Sequence, residues 1–185
     1  MTGKIIASIV LALFCSASLS AYQESGRERL DKIEAALKPD VPKILCVNEQ
    51  FATGAQPADA AFGKLAANGF RSVLNLRSAS EGVDLDHERN LVEAAGMRYV
   101  NIPVVSSAPK PEQVDAFIKA VKDAANQPML IHCASANRVG AFWMIYRAVD
   151  QGWSEDKALE EASRIGLSSP TLKAFAHEQI VARKK

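Results

Sequence analysis

Met129-Leu130-Ile131 is short and wholly apolar, and Val139 to Val149 is apolar nearly all round. A strand and a helix of that kind have no polar face to give to water, so both belong inside the molecule. Only His132-Cys133-Ala134-Ser135-Ala136-Asn137-Arg138 lies between them. A buried strand that turns at once into a buried helix is the unit of an α/β layer fold. No other stretch of the chain restricts the architecture as much.

The remaining segments alternate at the spacing of βαβ units. Tyr22 to Leu37 places Leu30, Ile33 and Leu37 on one helical face, and Pro39 closes it. Ile44 to Val47 reads as a strand. Pro57 suits the first turn of a helix that carries Phe62, Leu65 and Ala66 on one face and ends at Gly69. Arg71 to Leu76 reads as a strand, Asp84 to Ala95 as a helix and Arg98 to Val104 as the next strand. Pro111 opens a helix with Val114, Phe117, Ile118 and Val121 facing inward. Two more helices begin at Ser154 and at Ser169-Pro170, the last one aligning Leu172, Phe175, Ala176 and Ile180. The expected fold class is α/β, with a mostly parallel central sheet flanked by helices from about residue 40 to the end.

Residues 1–21 read as a secretory signal. Lys4 is its positive start, Ile5 to Phe14 its apolar run, and the small residues from Ser16 to Ala21 offer a cleavage point between Ser18 and Ala21. The run is shorter than the ~20 apolar residues that span a bilayer, so no stable membrane insertion is expected. The mature protein, residues 22–185 as one domain, is expected to be periplasmic or secreted. Lys+Arg 22 against Asp+Glu 21 leaves a net charge of +1, which gives no basis for a nucleic-acid partner. Of the three cysteines, Cys15 leaves with the signal, while Cys46 and Cys133 remain. They do not recur in CxxC pairs and histidines are few, so neither a metal nor a cofactor is expected. Cys46, among apolar neighbours on the first strand, reads as a buried inert thiol or as a reversible disulfide partner of Cys133. Nothing in the sequence sets the oligomeric state.

The chemistry concentrates in residues 132–138. A strand-to-helix junction aims backbone N–H groups and the positive helix end at one point, which suits an anion. Cys133 enters this loop at the carboxyl end of the strand, where open α/β sheets bind ligands. Such a field favours thiolate, and cysteine pKa values there fall from about 8.5 to roughly 3.5–7.5. Arg138 can offer its planar fork to two oxygens of a tetrahedral anion. Ala134, Ser135 and Ala136 are small enough to let the backbone approach a ligand, and Asn137 is the residue most tolerant of a left-handed conformation.

The segment Leu130-Ile131-His132-Cys133 through Arg138-Val139-Gly140 resembles the signature loop of cysteine-dependent tyrosine and dual-specificity phosphatases. Thr53-Gly54-Ala55-Gln56-Pro57, Ser72-Val73-Leu74-Asn75-Leu76-Arg77 and Tyr99-Val100-Asn101-Ile102-Pro103-Val104 are similar to phrases of the same superfamily, in the same order. The likeness runs over about residues 44–165, toward the bacterial β-lactamase-hydrolase-like, or phosphatase-like, branch. It implies the cysteine phosphatase II type of fold and metal-free hydrolysis of phosphate monoesters on a small molecule or protein. Cys133 would be the nucleophile of a phosphocysteine intermediate, Arg138 would hold phosphate, and His132 would hold the loop and help keep Cys133 ionised. Ala134, Ser135, Ala136 and Asn137 would line the substrate with their backbone.

Three features depart from that pattern. Four residues rather than five separate Cys133 from Arg138, a spacing shared with rhodanese-type sulfurtransferases, in which a Cys133 persulfide would carry sulfur. Val139 stands where a Ser or Thr hydroxyl usually assists the leaving sulfur, and Ser106 to Lys110 contains no acid. The last two features also fit a non-catalytic anion-binding module. Glu112 is the first carboxylate after the Ile-Pro strand and the candidate general acid, although its place at a helix start also suits the dipole. Asp84 is a second acid candidate that also suits a helix cap. Arg77 is expected to pair with Glu81 or Glu88, His87 and His177 to be solvated, and Trp143 and Trp153 to pack.

Overall fold

The computed structural model describes residues 26–184, so the expected export signal lies outside the described residues. Five strands form one sheet in the order β1-β2-β5-β3-β4: β1 (Leu45–Asn48), β2 (Phe51–Gly54), β3 (Ser72–Asn75), β4 (Arg98–Asn101) and β5 (Met129–His132). β1 and β2 are an antiparallel hairpin, while β2-β5, β5-β3 and β3-β4 are parallel. The mostly parallel sheet flanked by helices is therefore the observed architecture.

Side chains alternate across the strands and divide the core in two. Val73 and Leu130 face one side, with Leu37, Phe62, Leu65 and Val92. That side is covered by α1 (residues 26–37), α2 (Ala60–Ala67) and α3 (Leu85–Ala94). Leu74, Met129 and Ile131 face the other, with Phe117, Phe142, Trp143 and Phe175. There lie α4 (Pro111–Lys122), α5 (Asn137–Val149), α6 (Glu155–Ile165) and α7 (Pro170–Arg183). Among the described residues no helix is long and apolar enough to cross a membrane.

α5 explains its own composition. Arg138 through Ala148 are all buried, because the sheet takes one side of the helix and α6 and α7 take others. Trp143 meets Phe51 of β2 edge-on at 5.1 Å, and Phe142 meets Phe117 of α4 at 5.6 Å. The polar atoms this helix buries are partnered. Glu161 accepts from Trp143 Nε1 and Arg147 Nε, each at 2.6 Å.

Near residue 55 the structure adds one strand and corrects one expectation. Phe51–Gly54, which gives no strand signal, is a fully buried strand beside β5. Gly54 conceals it: a Cβ there would stand 2.7 Å from Val41 Cγ1, so close approach of the backbone requires glycine inside the strand. Asn48 Oδ1 accepts from Gln50 N (2.9 Å) and Phe51 N (3.0 Å), which sets the turn from β1 into β2. Pro57 does not open a helix. The loop is tied by Ala58 N to Asp40 O at 2.8 Å, and α2 starts only at Ala60.

Gly140 sets how closely α5 meets α6. A Cβ at this position would lie 2.8 Å from both Ala162 O and Leu167 Cβ. Since one contact is backbone, a side-chain rotation cannot relieve it. Gly140→Ala is expected to destabilise the fold by about 1–3 kcal/mol, read as a lowered urea midpoint with an unchanged m-value.

Candidate active site

The β5-to-α5 junction keeps to its sequence reading in outline. β5 ends at His132, Cys133 leaves the sheet and α5 starts at Asn137. Cys133 and His132 are fully buried, whereas Ala134 and Ser135, at the bend, are exposed. The strand is held at its end by Leu76 N donating to His132 O at 2.9 Å. Gly140 N closes the first helical turn on Ala136 O. Among the described residues no protein group accepts from the N–H of Ser135, Ala136, Asn137, Arg138 or Val139. Unpaired donors of this kind at a helix start carry partial positive charge.

The left-handed residue of the loop is Ala136 (φ 67°), not Asn137. Asn137 is already helical, and its side chain has another task. Its Oδ1 accepts from Ser168 N at 2.8 Å and Ser169 N at 2.9 Å, which ties the loop to the start of α7. The cost of a left-handed alanine is roughly 1–2 kcal/mol, and packing maintains it. Gly166 makes room, because a Cβ there would stand 3.1 Å from Ala136 Cβ. Lys43, itself at φ 57°, crosses the rim and donates from Nζ to Ser135 O at 3.1 Å.

Arg138 is 4% exposed and its fork is already half occupied. Nη1 and Nη2 meet the two oxygens of Glu81 at 2.5 and 2.8 Å. Nη1 also donates to Val104 O at 2.7 Å and Leu76 O at 3.1 Å. The Nε–H and the second Nη2 hydrogen are left, and these form the other edge of the guanidinium. Burial opposes the charge on Arg138, but the Glu81 carboxylate and nearby Cys133 outweigh it and raise the pKa.

Glu81 was legible only as a partner for Arg77, and that pairing is present at 3.0 Å. Its larger contact, with Arg138, comes from a short 3-10 turn, Ala79–Glu81, which gives no periodic signal. Ser78 N also donates to Glu81, at 2.9 Å. Burial pushes the Glu81 carboxyl up, yet Arg138, Ser78 N and Arg77 together hold it down to about 2. Glu88, the other partner expected for Arg77, does not pair with it, and its actual contacts were not legible in the sequence. It receives His132 Nε2 at 3.0 Å, Asn75 Nδ2 at 2.7 Å and Gln56 Nε2 at 2.7 Å. No motif marks it, because it sits on a helix whose sequence is mostly polar.

The remaining candidates separate clearly. Glu112 is exposed in the first turn of α4. Its neighbour Gln113 donates to Pro103 O at 2.6 Å, which fixes that turn beside the strand end carrying Val104. Asp84 caps α3 by accepting from His87 N at 2.9 Å. His87 and His177 are exposed and pair with Asp59 and Glu155. Cys46 and Cys133 are both free, and they belong to opposite cores. Cys46 aligns with Ala52, and Ala52 with Leu130. Two strand spacings and three residues of rise put the cysteines roughly 14 Å apart, too far for the disulfide considered above. Burial pushes the Cys46 thiol up to about 12, which agrees with its reading as a buried thiol of the core.

The family model described as "DSP-PTPase phosphatase fused to NAD+ Kinase" matches residues 43–182. A β-lactamase hydrolase-like protein of Xylella fastidiosa (strain Temecula1) is 28% identical over 118 residues, which is 62% of this chain and 27% of that protein. The dual specificity protein phosphatase TpbA of Pseudomonas aeruginosa (strain UCBPP-PA14) is 34% identical over 83 residues, 44% of this chain and 38% of that protein. The chain thus spans well under half the length of these curated relatives. In solved structures, a DUF442 protein of Shewanella putrefaciens CN-32 superposes with a TM-score of 0.67 at 26% identity, covering 79% of this chain and 96% of that one. TpbA in complex with phosphotyrosine has the same fold, with a TM-score of 0.61 at 20% identity over 77% of this chain and 91% of that one.

Glu81 carries a pH signature. Its folded pKa is depressed to about 2, against about 4.3 for an unfolded glutamate. The stability it contributes is therefore complete above the unfolded value and is lost as the pH falls through the folded one. Glu81→Gln is expected to be less stable than the parent at pH 6, with the gap narrowing from about pH 4 toward about pH 2. Urea unfolding across that range measures it.

Proposed function

The chain belongs to the phosphatase family whose model spans residues 43–182, and from that premise we propose that it is a cysteine-dependent hydrolase of phosphate monoesters. The observation that carries this reading is the state of Arg138. Its outer edge is fixed by Glu81 and two carbonyls, and Cys133 lies close enough to act on its charge. The free edge, Nε–H with one Nη2 hydrogen, then has the spacing to take two phosphate oxygens side by side. The unpaired N–H groups of Ser135 to Val139 supply further donors to the same anion.

Cys133 Sγ attacks phosphorus as the P–O bond to the leaving group breaks, giving a phosphocysteine and an alcohol or phenol that takes up one proton. Water then attacks phosphorus, the S–P bond breaks and the thiolate returns with release of inorganic phosphate. His132, whose ring is held by Glu88 at 3.0 Å, is proposed to hold the loop that carries Cys133. Glu112 is the proposed proton donor for leaving groups that need one, supported by the attachment of its helix turn to Pro103. Phosphotyrosine-type aryl esters are the proposed substrates, supported by the fold shared with a phosphotyrosine-binding relative.

p-Nitrophenyl phosphate in the presence of a chelator tests this scheme. Cys133→Ser is expected to abolish turnover, and Arg138→Ala to lower kcat/KM by about 10²–10³. Glu112→Gln should slow hydrolysis of an alkyl phosphate more than that of the nitrophenyl ester, whose leaving group needs no proton. Turnover that persists in Cys133→Ser overturns the proposal. Activity confined to thiosulfate and cyanide would assign the loop to sulfur transfer instead.

Export by the signal in residues 1–21, leaving residues 22–185 as a single mature domain, belongs to the same proposal. It is supported by the charged, apolar and small-residue order of that segment. Mass spectrometry of the protein from an expressing cell is expected to find a new N-terminus between Leu19 and Tyr22. An intact Met1 in the mature pool would remove this part.

A further inference from the structure

The turn that leads into β1 holds a residue type that its backbone does not favour. Val41 to Ile44 is closed by Ile44 N donating to Val41 O at 3.2 Å, with Pro42 in second place and Lys43 in third. Third place here has φ 57°, a left-handed position that glycine or asparagine fills at least cost. A lysine in that place directs attention to its side chain. It reaches the β5-to-α5 loop and donates from Nζ to Ser135 O at 3.1 Å, across 92 positions of sequence. Gly166 leaves space for the meeting, since a Cβ there would stand 3.6 Å from Lys43 Cδ and 3.5 Å from Ser135 O.

Three other carbonyls of the loop are held by backbone donors. His132 O accepts from Leu76 N at 2.9 Å, Ala134 O from Gln56 N at 3.5 Å and Ala136 O from Gly140 N at 2.9 Å. Ser135 O is the one of these four that a side chain holds. C=O and N–H lie on opposite sides of a trans peptide, so the bond from Lys43 also turns Ala136 N–H away from the rim. Reversing this peptide would present the Ser135 carbonyl to an anion and withdraw the Ala136 N–H. It would also carry Ala136 from φ 67° to roughly −110°, out of the left-handed region. The orientation that suits an anion is therefore the strained one.

We propose that Lys43 is a positioning residue: its ammonium latches the Ser135–Ala136 peptide in the orientation that offers Ala136 N–H to an oxyanion, against a flip that would put a carbonyl in its place. The inference deepens the proposed hydrolysis and rests on it only for the identity of the anion. Lys43 acts through the loop backbone and not on the reacting atoms. Without the latch, the left-handed cost of alanine leaves the competent peptide in a minor share of molecules, and apparent anion affinity falls in proportion to that share.

NMR of the phosphate-free chain reads the latch directly, through the HN–Hα NOE within Ala136, which is strong at positive φ and weak at negative φ. The parent and Lys43→Arg are expected to show the strong form and Lys43→Met the weak form, with urea melts to confirm folding. Lys43→Ser serves in its place should the methionine variant not fold. Inorganic phosphate is expected to bind Lys43→Met about 5- to 30-fold more weakly than the parent, the factor set by the left-handed cost of alanine. Ala136→Gly removes that cost, and added to Lys43→Met it is expected to restore most of the affinity. Simple charge attraction between Lys43 and phosphate predicts no such restoration. A left-handed Ala136 in folded, phosphate-free Lys43→Met overturns the proposal, as does a loss of affinity that Ala136→Gly leaves in place. If the NOE switches as expected while the parent neither binds phosphate nor hydrolyses its esters, the hydrolysis reading fails and the latch stands.

Discussion

A guanidinium placed inside a protein without a partner is among the costliest groups to bury. Arg138 sits at such a point, and the structure around it is arranged to answer its charge. The Leu76 carbonyl comes from the end of β3, the Val104 carbonyl from beyond β4, and the Glu81 carboxylate from the turn between β3 and α3. Three separate chain segments therefore converge on one side chain. Each must be in place before burial of Arg138 costs less than its exposure. The strand ends that frame the candidate site and the arginine at the start of α5 are fixed by the same set of contacts.

That convergence explains what the amino-acid order reveals and what it hides. The β5 strand, the apolar α5 helix and the loop between them are continuous in sequence, so periodicity and composition expose them directly. The caps at Ser154 and Ser169 are equally local, and both side chains accept the expected backbone N–H groups. Glu81 and Glu88 lie 57 and 44 residues from the groups they serve, and nothing in their immediate neighbours announces the contact. β2 was hidden for a different reason: a glycine interrupts its apolar run because Val41 leaves no room for a side chain. Asn137 shows the reverse error. Its residue type suits a left-handed turn, but tertiary hydrogen bonds to residues 168 and 169 outweighed that local preference.

The short phrases that carry the family likeness also acquire a physical meaning. Gln56 belongs to the first, Asn75 and Arg77 to the second, Tyr99 to the third and His132 to the loop. All but Arg77 reach Glu88 directly or through one amide, and Arg77 orients the amides. Phrases far apart in the chain are thus parts of one hydrogen-bonded network beneath the loop. The network is polar and enclosed, so its members depend on one another more than on their own neighbours in sequence.

The link from Asn137 to the start of α7 has a consequence for how the chain matures. A loop near residue 135 depends on backbone donors some thirty positions later, so it cannot take its final shape while that later segment is still being synthesised. A nascent chain holding everything through α5 would carry Cys133 in an unfinished bend. Completion of the bend is thus postponed until the tail docks, and local opening of the tail in the finished protein would loosen the bend in the same cooperative step.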